Sequence, residues 1–106
     1  MAKYMFIASF SAEGARGILA EGGSPRVEVI RKMFASLGGT LESFHFGFGS
    51  DDVFIIGELP GNAQAAAAAL TTSATGAVHT RTVVLLTPQE VDAASKLSPT
   101  YRAPGA

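Results

Sequence analysis

Two stretches of this chain carry apolar side chains on both faces of a strand, and the rest of the sequence is arranged around them. Ala2 to Phe10 places Tyr4, Phe6, Ala8 and Phe10 at alternate positions, with Met5, Ile7 and Ser9 between them. In Val53 to Leu59, Val53, Ile55 and Leu59 alternate with Phe54 and Ile56. Successive strand side chains project to opposite faces of the sheet, so a strand that is apolar on both faces must be covered on both. The second stretch closes a hairpin that begins at Thr40. Its first strand puts Phe44, Phe46 and Phe48 on one face and Leu41, Ser43 and His45 on the other, and Gly49-Ser50-Asp51-Asp52 makes the turn.

Helical patterns fill the intervals. After Ser11, a possible N-cap, Gly14 and Gly17 predict a weak helix or a wide loop that ends at Gly22-Gly23. Ser24-Pro25 is a stronger start, with Ser as cap, for a helix running to Leu37. Its apolar stripe is Val27, Ile30, Phe34 and Leu37 with Met33 beside it, while Arg26, Glu28, Arg31 and Lys32 face water. Glu28 and Lys32 are spaced to pair, and Gly38-Gly39 stops the helix. Pro60-Gly61-Asn62 turns into an alanine-rich helix over Ala63 to Ala69, with Asn62 as its cap. Val78 to Leu86 reads as a fourth strand whose His79, Thr80, Arg81 and Thr82 suit an edge. Thr87-Pro88-Gln89-Glu90 has the form of a capping box for a short helix to about Lys96, and Leu97 to Ala106 reads as an extended arm.

The order strand, helix, strand, strand, helix, strand predicts an α+β fold. The right-handed crossover rule favours a ferredoxin-like βαββαβ unit with antiparallel sheet order 4-1-3-2 over residues 1–96, followed by the arm at 97–106. Two helices cover only one face of such a sheet. The middle strands of that order are the two that are apolar on both faces, so their second face predicts another copy of the chain, packed sheet to sheet or closed into a barrel.

Composition narrows the function classes. A length of 106 residues suits one domain with one core, and 47% hydrophobic residues exclude a disordered chain. Eight basic and nine acidic side chains give a net charge of -1, which offers no footprint for nucleic acid or an anionic membrane. The absence of cysteine removes disulfides, thiolate metal sites and thiol catalysis. MAKYMFIASF is too short an apolar run for a secretory signal, so the expected location is the cytoplasm. No metal or cofactor is expected.

Candidate chemistry is sparse. His45 and His79 are the only histidines, and neither stands at a metal-ligand spacing from another His, Asp or Glu. In the 4-1-3-2 order they occupy opposite edge strands, three strand spacings of ~4.8 Å apart. His45 is the one weak catalytic candidate, as an acid or base near the aromatic face. Arg81, on the same face as His79, could hold a carboxylate or phosphate, or pair with Glu42 or Glu58. His45, Phe46, Phe48, His79 and Arg81 form the ligand-binding candidates. Asp51 and Asp52 could flank a cation, although adjacent aspartates more often serve the turn itself. Tyr4 and Tyr101 are expected to be buried with a hydrogen bond.

The start MAKYMFIASFSAEG, the Leu37-Gly38-Gly39 stop, the run FHFGFGSDDVFIIGELP and the later VHTRTVVLLTPQEV together resemble the GYD domain family. Its Gly-x-Tyr-Asp signature would fall on Gly49, Ser50, Asp51 and Asp52, so Asp51 stands where the signature has Tyr. The resemblance implies a dimeric α/β barrel and no established activity. The hairpin is also similar to the effector-binding modules of leucine-responsive regulators, which bind small molecules between protomers. Other dimeric α/β barrel proteins of similar layout are small monooxygenases or isomerases. The expectation is therefore a non-catalytic small-molecule-binding or assembly domain acting as a homo-oligomer. The alternative is a small cofactor-independent enzyme using His45.

Overall fold

The computed structural model describes all 106 residues. Four strands, β1 (Ala2–Phe10), β2 (Thr40–Phe46), β3 (Val53–Leu59) and β4 (Val78–Leu85), form one antiparallel open sheet in the order β2-β3-β1-β4. Read from the other edge this neighbour order is 4-1-3-2. Four helices accompany it: α1 (Ala12–Glu21), α2 (Ser24–Ser36), α3 (Asn62–Ser73) and α4 (Pro88–Ser95). No helix is long and apolar enough to cross a membrane.

The two strands with apolar residues on both faces are the central pair, β1 and β3. Their helix-side residues Tyr4, Phe6, Ala8, Val53, Ile55 and Leu59 are buried under α2 and α3. The Phe34 ring stands edge-on to Phe6 at 5.8 Å between centroids, which suits the quadrupoles of the two rings. Room for Phe34 comes from Gly57, since a Cβ there would collide with that ring. Ala65 and Ala68 let α3 lie close on the sheet.

Local chemistry differs from the sequence expectation in several places. Of the two alternatives for residues 12–21 the helix forms, with the Ser11 hydroxyl accepting the Gly14 N–H as its cap. At α2 the N-cap is Gly23, without a side-chain hydrogen bond, so Ser24 lies inside the helix. Glu28 pairs with Arg31 at 3.3 Å, one position nearer than Lys32. Asn62 does not cap α3; its side-chain oxygen instead accepts the Tyr4 hydroxyl at 2.7 Å, giving the buried phenol its partner. Tyr101, by contrast, is exposed in the arm. The end of α2 follows expectation: Gly38 has φ +83°, and the N–H groups of Gly39 and Gly38 donate to the carbonyls of Phe34 and Ala35. The capping box of α4 forms in both directions, Glu90 N–H to Thr87 and Thr87 N–H to the Glu90 carboxylate.

The largest correction lies in β2. Leu41 faces Gly57 and Ser43 faces Ile56, so Glu42 is an extra residue, a β-bulge. The bulge brings Leu41 to the helix side with Phe44 and Phe46, where both Leu41 and Phe44 pack on the core. Simple alternation had sent Leu41 to the opposite face. The strand also ends at Phe46, which leaves Phe48 in the following loop and 98% exposed.

Candidate functional site

Two surfaces hold the sequence-derived candidates, one on each side of the sheet. The helix-free side is built by register. His45 opposes Phe54, Phe54 opposes Ile7, and Ile7 opposes Arg81, so these four residues form one row across all four strands. The next row is Ser43, Ile56, Met5 and Val83. Leu85 lies beyond Val83 on the same side, opposite Lys3, and His79 lies opposite Ser9 at the other end. The centre of the face is therefore apolar, the β2 edge is polar at His45 and Ser43, and the β4 edge is polar at His79 and Arg81 but apolar at Val83 and Leu85. His45 and Arg81 share a row but stand on opposite edge strands, roughly 14 Å apart across three strand spacings.

Arg81 pairs with neither Glu42 nor Glu58. Its guanidinium reaches Asp51 at 3.2 Å, and Glu42 is taken by Lys3 at 3.0 Å. Asp52 is used differently: its carboxylate accepts the Phe10 N–H at 2.9 Å, its own N–H donates to the Ala8 carbonyl at 2.8 Å, and its carbonyl accepts the Gly47 N–H at 2.8 Å. The two adjacent aspartates thus diverge, one toward β4 and one toward β1. Gly49 has φ +135°, a conformation that favours glycine and lets the loop reverse. No group of three His, Asp or Glu side chains comes together as a metal-binding set.

The profile described as the GYD domain matches residues 4–95, which spans β1 through the last turn of α4. The chain belongs to the GYD domain family. Within this GYD domain Gly49 shapes the loop, Asp52 clasps β1, and Asp51 is an ion-pair partner for Arg81. No curated protein and no solved structure matches the chain.

On the helix side, the GYD domain holds an apolar cavity of about 60 Å³, lined by Phe6, Ile30, Met33, Phe44, Val53 and their neighbours. A second cavity of about 270 Å³ adjoins it beneath α1. Phe10, Arg26, Ile30, Thr72 and Val78 line both. Phe46 lies at the start of α2, its ring against Gly23, and stacks obliquely on Phe44 at 5.0 Å. The structure therefore divides the five ligand-binding candidates: His45, His79 and Arg81 go to the helix-free face, Phe46 to the helix side and Phe48 to the loop.

Arg26 is the residue that sequence reasoning missed. It was assigned to solvent, yet it is half-buried and borders both cavities. The signal was its spacing: Arg26 and Ile30 are four apart on α2 and so share a helix face.

Proposed function

We propose that this GYD domain is a non-catalytic small-molecule-binding or assembly module that works as a homo-oligomer. In this reading two ferredoxin-like units meet through their helix-free sheet faces and close into a dimeric α/β barrel. The observation that carries it is the pair of cross-sheet rows in which Met5, Phe54 and Ile56 are half-buried and Val83 is exposed around a buried Ile7, with Leu85 beyond, on a face that no helix of its own protomer covers. A contiguous apolar patch of this kind marks an interaction surface. The patch runs from the centre of the face out to Val83 and Leu85 on the β4 edge, and a two-fold contact in which each copy offers the same patch would cover it.

Two further features support the reading. α4 buries no residue, and Leu86, Val91, Leu97 and Tyr101 are all exposed, so the C-terminal segment has no seat on its own protomer. The other copy is the partner we assign to it. His45 has no acidic partner, and its register places it on the opposite side of the sheet from the cavity that Phe44 lines, so no observation favours acid-base chemistry there.

Size-exclusion chromatography with light scattering at micromolar concentration tests the assembly. The expected mass is at least twice the 10.9 kDa of one chain. A stable monomer overturns it.

A further inference from the structure

We propose that the paired cavities between sheet and helices form a binding site for a small amphipathic carboxylate, with Arg26 as its anchor. The proposal rests on the reading of this domain as a small-molecule binder, and it gives that reading a place and a ligand class.

The inner cavity is walled almost wholly by apolar side chains, and its polar lining is confined to Arg26, Thr72 and Thr80. Two of these three already have partners. The Thr72 hydroxyl donates to the Ala68 carbonyl at 2.9 Å, and the Thr80 hydroxyl meets that of Ser73 at 3.2 Å. Arg26 differs. Its guanidinium makes no hydrogen bond, and its one ion pair, with Glu21, is 3.8 Å long. Charge-assisted hydrogen bonds are about 2.7–2.9 Å, so that pair leaves the donors of the guanidinium unused. Arg26 lines the apolar cavity with its stem and also borders the wider, more polar one, so an unspent planar fork on that outer side fits a carboxylate head with an alkyl tail directed into the apolar cavity.

Size agrees with a small ligand. An apolar cavity of about 150 Å³ holds a benzene ring, so about 60 Å³ takes the end of an alkyl chain and about 270 Å³ takes the rest. The outer chamber is roofed by α1, which buries no residue and is tied at its start by Ser11, whose N–H donates to the Ala77 carbonyl at 3.0 Å. Glu13 also lines the outer chamber and opposes an anion there, so the head group belongs on the Arg26 side.

Calorimetric titration of the full chain with octanoate, kept below its micelle concentration, tests the site against octanamide as the uncharged control. Octanoate is expected to bind roughly tenfold or more tightly than octanamide, the effect of a charge-assisted hydrogen bond. Arg26→Gln should remove that preference and leave octanamide affinity unchanged, and Glu13→Gln should tighten octanoate. Thr72→Phe, which fills the junction, should abolish binding of both. Absence of octanoate binding at millimolar concentration overturns the proposal. So does an Arg26→Gln protein that binds octanoate as tightly as the parent. Light scattering on the same samples separates the two readings: an oligomer that ignores octanoate sinks this site alone, and a monomer that binds it sinks the sheet-face assembly alone.

Discussion

The Phe10 backbone N–H donates to the Asp52 carboxylate at 2.9 Å, and together with the Asp52 N–H to Ala8 carbonyl bond it fastens the end of β1 to the start of β3. A hydrogen bond to a charged group contributes about 1.5–3 kcal/mol when its partner would otherwise be left unsatisfied. Asp52→Ala should therefore lower stability by about 1–3 kcal/mol in urea unfolding. Asp52→Asn keeps an acceptor oxygen and should lose less. Equal losses in the two variants would assign the effect to the negative charge and not to the clasp.

Gly57 lies beneath the Phe34 ring, where an added Cβ would also come within 2.7 Å of the Thr40 carbonyl oxygen. Neither neighbour can withdraw easily, because Phe34 is the best-buried residue of α2 and Thr40 belongs to the adjacent strand. Overpacking of this kind costs about 1–3 kcal/mol, so Gly57→Ala should unfold at clearly lower temperature. A melting temperature equal to that of the parent would mean that α2 can lift from the sheet without loss.

Ile56 opposes Met5 at the centre of the helix-free face. Ile56→Glu should leave the circular dichroism of the protomer intact and shift the protein to monomer at micromolar concentration, since an unpaired charge at a sealed seam is strongly unfavourable. An unchanged oligomer would move the interface to another surface.

Removing residues 97–106 takes away a segment that is exposed throughout the protomer. The truncated protein should retain its fold by circular dichroism but dissociate at higher concentration than the full chain, because only the partner copy gives the arm a seat. If the dissociation constant is unchanged, the arm is a solvated tail.

Much of this architecture was written in the periodicity. β1 and β3 announce their central places because both of their faces are apolar, and α2 and α4 announce their limits through Pro25, Gly38 and the Thr87–Glu90 capping box. What periodicity could not carry were choices made by tertiary partners. Asn62 has the chemistry of a cap, but the Tyr4 hydroxyl, 58 positions away in sequence, claims its oxygen. Arg81 had two glutamates to choose from by composition, and the loop brought Asp51 nearer than either. The site was less legible than the fold. Arg26 looks like one more surface cation until the sheet beneath it creates a cavity for it to border.

The bulge in β2 has one consequence for how the sequence can change in length. Glu42 is the surplus residue; Leu41 before it and Phe44 two positions after it already point inward, and Ser43 between Glu42 and Phe44 points outward. Excising Glu42 would leave Leu41, Ser43 and Phe44 in ordinary alternation, with the same two side chains in the core and only the 3.0 Å pairing to Lys3 lost. Excising Ser43 and Phe44 together, or any residue from Phe44 to Phe46 alone, would instead remove a core ring or turn the remainder of the strand over. Strand β2 therefore has one place where a codon can be dropped without rewriting its interior.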